Sequence, residues 1–172
     1  MEETGLINEI GQWVFLNACK VAVNWPKQIR LSVNASAIQL RQANILSSVT
    51  NALAAAALPP DRLEIEITET AVLDESEPIL SNLTALRELG VHIALDDFGT
   101  GYSSLTYLRR LFPDSIKIDC SFVREIATNA DSASIVKSLI ALSHDLSIWV
   151  IGEGIETAEQ LHFLRKHDCD AG

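Results

Sequence analysis

The sequence has 172 residues, 48% of them hydrophobic, which suits one domain with a packed core. Its formal charge of -10 and isoelectric point near 4.7 exclude counterion-driven binding to nucleic acid polymers, which needs clustered Lys and Arg. An anionic ligand would have to arrive with bound cations.

In chain order, "MEETGLINEI" is acidic and amphipathic, without the positive and apolar regions of a secretory leader, and no apolar run approaches 18 residues. No membrane segment is expected. Cys19, Cys120 and Cys169 are scattered, odd in number and lack the close pairing of a zinc or redox motif, so a reducing, cytoplasmic compartment is expected. The stretch 5–25 carries Leu6, Ile10, Trp13, Val14 and Val21 at helical spacing and is stopped by Pro26. Strands are predicted at "IRLSVNAS", "LEIEIT", "HIALDD", "SIKIDC" and "SIWVIGEG", with amphipathic helices such as "SEPILSNLTALRELG", "DSASIVKSLIALSHDL" and 157–167 between or after them. Trp13, Trp25 and Trp149 are expected to pack in the interior, and the Ala run 54–57 to lie on a helix surface. His92, His144, His162 and His167 share no metal-binding spacing and are assigned surface or core roles.

Regular alternation of strand and helix implies parallel strands, in an open doubly wound sheet or in a barrel. Taking Asn34, Glu66, Asp96, Lys117 and Glu153 as markers near strand ends, the intervals are 32, 30, 21 and 36 residues. A (β/α)8 barrel also allots roughly 30 residues to each unit. At that spacing this length holds between five and six units, so a barrel reading requires strands to be missing.

Parity within the strands carries the chemistry. Strands buried on both faces normally read as nearly continuous Val, Ile and Leu. Here Leu31 and Val33 alternate with Ser32 and Asn34, Ile65 and Ile67 with Glu64 and Glu66, and Ile116 and Ile118 with Lys117 and Asp119. The polar residues fall late in their strands, the end where chemistry collects in barrels and open sheets alike. Glu66, Glu69, Asp96, Asp97, Asp119, Glu153 and Glu156 face a single lysine, Lys117, and one lysine cannot neutralise them. An all-oxygen set of Asp, Glu and an Asn carbonyl suits Mg²⁺ or Mn²⁺, and the adjacent pair Asp96–Asp97 suits two bridged ions. Plainer roles stand beside these: helix caps for a lone strand-end Asp or for Asn34, charge balance for Lys117, and a structural turn for Glu156.

The motifs "SVNAS", "LEIEITET", "LDDFGTGYSSLTYL", "IKIDCSFV" and "VIGEGIET", in this order, resemble those of the EAL-domain cyclic di-GMP phosphodiesterases across essentially the whole chain. The resemblance implies a TIM-type (β/α)8 barrel and metal-dependent hydrolysis of cyclic di-GMP to the linear dinucleotide, with two Mg²⁺ or Mn²⁺ ions. It implies Asn34, Glu66 and Asp96 as ligands of the first ion, with Asp96 bridging to a second held with Asp97. Glu153 is implied as general base or second-ion ligand, and Lys117 as the contact to the attacking water or phosphate, supported by Asp119. A mobile loop of Phe98, Gly99, Thr100, Gly101, Tyr102, Ser103 and Ser104 is implied, anchored by Glu69, with Glu156 in support.

The family's Glu-Ala-Leu segment is not among these residues, nor is its C-terminal Gln-Gly strand, and Gly152 stands where the family usually has alanine. The expectation is therefore one partial EAL domain over residues 1–172, an incomplete barrel of about five parallel strands with flanking helices. Two open sheet edges suggest a homo-oligomer, an exchange of elements, or part of something longer. Loss of one metal-ligand glutamate predicts weak or no turnover by this chain alone, the alternative being a non-catalytic module that binds cyclic di-GMP or protein.

Overall fold

The computed structural model describes residues 6–69, 71, 77–99, 108 and 111–172. Among the described residues five strands lie in one sheet in sequence order, β1 (Leu31–Asn34), β2 (Leu63–Thr68), β3 (His92–Phe98), β4 (Ser115–Ile118) and β5 (Trp149–Gly152). The chain divides into two compact units, Met1–Ile93 and Ala94–Gly172.

In the first unit β1 and β2 are parallel and in register, Leu31 opposite Leu63, Ser32 opposite Glu64, Val33 opposite Ile65 and Asn34 opposite Glu66. Around them stand α1 (Leu6–Ala22), α2 (Ala37–Leu40), α3 (Ile45–Ala56) and α4 (Glu77–Glu88). The predicted helical period of α1 is present, but the face it buries is Gly11, Phe15, Cys19 and Ala22, with Gly11 against Gln39 of α2 and the helix also packed on α3. Leu6, Ile10, Trp13 and Val21 are exposed instead, Trp13 by 66%. Small residues permit the closer approach of two helices, so Gly11, Cys19 and Ala22 mark the packed side that a count of large apolar residues misses. The interior of this unit includes Leu40, Ile45, Val49, Leu53, Leu63, Ile65, Ile67, Ile79, Leu83 and Leu86, each burial worth about 1.5–3 kcal/mol relative to exposure.

Arg62 is buried just before β2. Its Nε donates to the carbonyl of Ile29 at 2.6 Å and its Nη2 to the carbonyl of Ala22, the last residue of α1, at 3.0 Å. It thereby satisfies a carbonyl that a helix end leaves without an intrahelical partner.

In the second unit β3 pairs with β4 and β4 with β5, both parallel. The core is Ile118, Val123, Ile126, Val136, Ile140, Val150 and Leu164, drawn from β4, β5, α5 (Cys120–Glu125), α6 (Ala130–Asp145) and α7 (Ala158–Lys166). Asn129 caps α6 by accepting from the amides of Asp131 and Ser132, and Thr157 and Gln160 form a reciprocal box at the start of α7. Ala171 makes a parallel bridge to Ile151, extending the sheet beyond β5. Phe98 is 2% exposed, lies at the end of β3 and pairs with Ile118, so it belongs to the sheet and not to a loop. Trp149 is 61% exposed and Trp25 is on the surface, so neither packs inside as expected. Asp119, Glu153 and Gly154 lie just past the strands assigned to them, Asp119 as the cap of α5. No described helix is long and apolar enough to cross a membrane.

Replacing Arg62 by Met keeps the aliphatic stem and removes both donors, so the Ile29 carbonyl loses the Arg62 Nε bond and the Ala22 carbonyl keeps only the Trp25 amide. Chemical denaturation should show a loss of about 2 kcal/mol with an unchanged denaturant slope. A loss below 0.5 kcal/mol, roughly the scale of a neutral surface change, would mean that the two bonds contribute nothing net.

Candidate active site

In the first unit the strand-end donors are set by the ladder. Asn34 closes β1 opposite Glu66, and the amide of Ala35 donates to the Glu66 carbonyl at 2.8 Å, carrying the pairing one residue past β1. Strand alternation puts Ser32 and Asn34 on one face and Leu31 and Val33 on the other. Asn34 is exposed, whereas Glu66 and Glu69 are each 6% exposed. Directly after β1 the chain turns into α2, where Ser36 and Gln39 form a capping box: the Ser36 amide donates to Gln39 Oε1 at 2.9 Å, and the Gln39 amide donates back to Ser36 Oγ. Gln39 is buried against Gly11 of α1, where an added Cβ would stand 1.8 Å from Nε2, so a side chain at position 11 would push the cap aside. Asn34, Ser36, Gln39, Thr68 and Ala71 line an open cleft of about 480 Å³.

In the second unit the donors are set by a break in the ladder. Leu95 pairs with Ile116 and Phe98 with Ile118, so β3 uses one residue more than β4 over the same span. The bulge contains Asp96 and Asp97, and Asp97 takes φ +53°, the left-handed region that a short polar side chain tolerates best. The Asp97 amide donates to Asp96 Oδ1 at 3.0 Å. Gly99 follows with φ +99°, and a Cβ there would stand 3.1 Å from the Phe122 ring. Lys117 Nζ lies 3.6 Å from Asp96 Oδ1 and 2.5 Å from Glu153 Oε1, and the Glu153 amide donates to the Ile118 carbonyl at 3.3 Å. Asp119 caps α5, its Oδ1 accepting from the Ser121 amide at 2.9 Å and from the Ser121 hydroxyl.

Electrostatics follow this geometry. Loss of hydration raises the Asp97 carboxyl above its ordinary value, and the charges of Asp96 and Asp119 raise it further, against a smaller lowering by Lys117. Asp119 is lowered, first by the Ser121 hydroxyl and with help from the Ser121 and Cys120 amides, against an opposing effect of burial. The structure thus gathers Asp96, Asp97, Lys117, Asp119 and Glu153 within the second unit, and Asn34, Glu66 and Glu69 within the first. Glu156 is exposed and makes a 3.5 Å ion pair with Arg124, while its amide donates to Gln160 Oε1, a tie between α5 and the start of α7. Thr100, Gly101, Tyr102, Ser103 and Ser104 lie outside the described residues.

Among the described residues, no group of three or more His, Cys, Asp or Glu side chains stands arranged to hold a metal ion. The donor chemistry nevertheless fits a hard divalent cation: Asp96, Asp97 and Glu153 offer only oxygen, the donor type that Mg²⁺ and Mn²⁺ take. The Ser32–Glu64 pair beneath Asn34 and Glu66 escaped the sequence reading as a functional feature, although the parity signal that marked Glu66 also marks Glu64.

Because Asp97 is raised, its charged form is held less well in the folded state than in the unfolded one, so stability falls as pH rises through the interval above the ordinary carboxylate range. Asp97→Asn in EDTA should therefore raise the melting temperature at neutral pH, with the gain shrinking as pH falls toward about 4. Asn also suits the left-handed backbone, which adds a part that does not vary with pH. A gain constant across the whole range would remove the electrostatic account.

The family model for the EAL domain matches residues 1–172. An uncharacterized signaling protein of Caulobacter vibrioides is 46% identical over 168 residues, covering 98% of this chain and 21% of that protein. MucR of Pseudomonas aeruginosa, a bifunctional diguanylate cyclase/cyclic di-GMP phosphodiesterase, is 40% identical over 174 residues, covering 99% of this chain and 25% of its own length. The chain spans about a fifth to a quarter of such curated relatives. The MucR phosphodiesterase in complex with c-di-GMP superposes with a TM-score of 0.92 at 41% identity, over 98% of this chain and 70% of that one. Klebsiella pneumoniae BlrP1 in its manganese/c-di-GMP complex gives 0.84 at 34% identity, over 94% of this chain and 41% of that one. The parallel sheet with flanking helices is thus the TIM-barrel-like architecture of these structures, and the chain belongs to the EAL domain family.

Proposed function

We propose that this chain is the part of an EAL phosphodiesterase that hydrolyses one phosphodiester bond of cyclic di-GMP, giving the linear dinucleotide. The observation that carries the reading is Lys117 Nζ set between Asp96 and Glu153, a cation and a proton acceptor side by side at the strand ends. Family membership and relatives whose structures hold c-di-GMP with manganese or calcium support the substrate and the metal class.

In this reading Asn34, Glu66, Asp96 and Asp97 supply oxygen ligands for Mg²⁺ or Mn²⁺. Two such ions, when bound, would polarise the phosphoryl oxygens and lower the pKa of a coordinated water. Glu153 accepts the proton of the attacking water as its oxygen bonds to phosphorus and the opposite P–O bond breaks, and the leaving ribose oxygen, still part of the linear product, takes up a proton from solvent. Lys117 aims that carboxylate and offers positive charge to the phosphoryl oxygens as negative charge builds there. Asp119, already satisfied by Ser121, fixes the start of α5 beside Asp97. Glu69 is assigned to support of the site.

The test is chromatographic: purified chain, cyclic di-GMP and Mn²⁺, with linear dinucleotide as the product, formed slowly because turnover by this chain alone is expected to be weak. EDTA should abolish it, and Glu153→Ala should lower kcat by about 10²- to 10⁴-fold, the range of general base catalysis. Calorimetry with Ca²⁺ in place of Mn²⁺ separates the readings. Nucleotide binding without product favours a binding module of EAL ancestry, and absence of both removes the assignment.

A further inference from the structure

The polar face of the β1–β2 pair has two layers, and the proposed ligands occupy only the upper one. Beneath Asn34 and Glu66, one side-chain repeat or roughly 6.6 Å earlier along the strands, stand Ser32 and Glu64, opposite each other in the same register. Ser32 Oγ donates to Glu64 Oε1 at 2.9 Å. Glu64 is 5% exposed, as deeply buried as Glu66. Barrel interiors are ordinarily filled by Val, Ile and Leu in such layers, and a buried carboxylate there is costly unless it is hydrogen-bonded. The opposite face of the same strands is filled in the ordinary way, by Leu31, Val33, Leu63 and Ile65.

We propose, on the footing of the metal reading above, that Glu64 is a positioning residue for Glu66 and Asn34. The serine hydroxyl draws the Glu64 carboxyl toward β1, where it forms a floor across both strands. That floor denies the Glu66 side chain the space below and directs its carboxylate toward the carboxyl end of the strands, level with the Asn34 amide. An apolar residue at 64 would fill the volume but could not hold the hydroxyl, and a small one would let Glu66 sink.

The experiment is Mn²⁺ binding by calorimetry on the 172-residue chain, with melting temperature recorded in parallel. Glu64→Ala should weaken Mn²⁺ binding about tenfold, the lower end for residues that orient metal ligands. Glu64→Gln, which keeps the shape and still accepts from Ser32, should retain the affinity of the unaltered chain. Ser32→Ala should weaken binding in the same direction, and the double variant should be no worse than Glu64→Ala, because the Ser32 bond is already lost with Glu64. Should Glu64→Ala fail to fold, Ser32→Ala carries the test alone. Unchanged Mn²⁺ affinity in the folded Ala variants overturns the proposal and leaves Glu64 as packing, visible only in the melting temperature. Equal losses in Glu64→Gln and Glu64→Ala overturn it as well. An unaltered chain that binds no Mn²⁺ overturns the metal reading and this inference together, whereas Mn²⁺ binding without hydrolysis of cyclic di-GMP counts against the catalytic assignment alone.

Discussion

Like charges crowded at strand ends are the constraint from which most of the second unit follows. Four carboxylates, Asp96, Asp97, Asp119 and Glu153, share one lysine, and each satisfies its charge in a different way. Glu153 takes Lys117 at 2.5 Å, and Asp96 shares that lysine while accepting the Asp97 amide. Asp119 draws on the amide and hydroxyl of Ser121, and in doing so starts α5. Asp97, hydrogen-bonded to Asp119, is raised first by lost hydration and then by the charges of Asp96 and Asp119. A divalent cation would reverse that penalty, because the same crowding that destabilises isolated carboxylates lowers the cost of bringing them to a metal.

The first unit solves a related problem by a different route. Its donors are placed by uninterrupted register: β1 and β2 run opposite each other residue by residue, so Asn34 and Glu66 face the same way without any strained backbone. Their rigidity is borrowed from what lies around them, the Ser36–Gln39 box immediately downstream and Arg62 tying the end of α1 just before β2. Asn34 is uncharged, whereas Glu66 and Glu69 are buried carboxylates. A ladder presents alternate residues; only a bulge can present neighbours.

That difference also decides what could be read from the sequence. The strands and the polar face were legible because period-2 alternation survives in "RLSVN" and "LEIEI", and the acids at the strand ends stood out against Leu, Val and Ile. The packed face of α1 was not legible, since Gly11, Cys19 and Ala22 are small and the eye follows Leu6, Ile10 and Trp13, which the structure leaves exposed. The assignment of Phe98 to a loop had the same origin: the glycine after it signals a turn, but its pairing with Ile118 keeps it in the sheet. The plainer reading of a strand-end aspartate as a helix cap holds at Asp119, and does not exclude its electrostatic effect on Asp97.

The doublet Asp96–Asp97 makes physical sense only with the bulge that accommodates it. In a regular strand the two side chains would point to opposite faces, and one carboxylate would be driven into the layer where Leu95 and Phe98 are buried. Turning Asp97 into the left-handed region costs on the order of 1–2 kcal/mol for an L-residue, less for a short polar side chain that bonds locally. The alternative, an unpaired charge in an apolar layer, costs more. Phe98 then regains register against Ile118, and Gly99, at φ +99° beneath the Phe122 ring, begins the exit that a residue with a side chain could make only by displacing that ring. The order Asp-Asp-Phe-Gly is therefore a sequence of four backbone requirements, each met by the residue type that meets it most cheaply, and the paired carboxylates are their product.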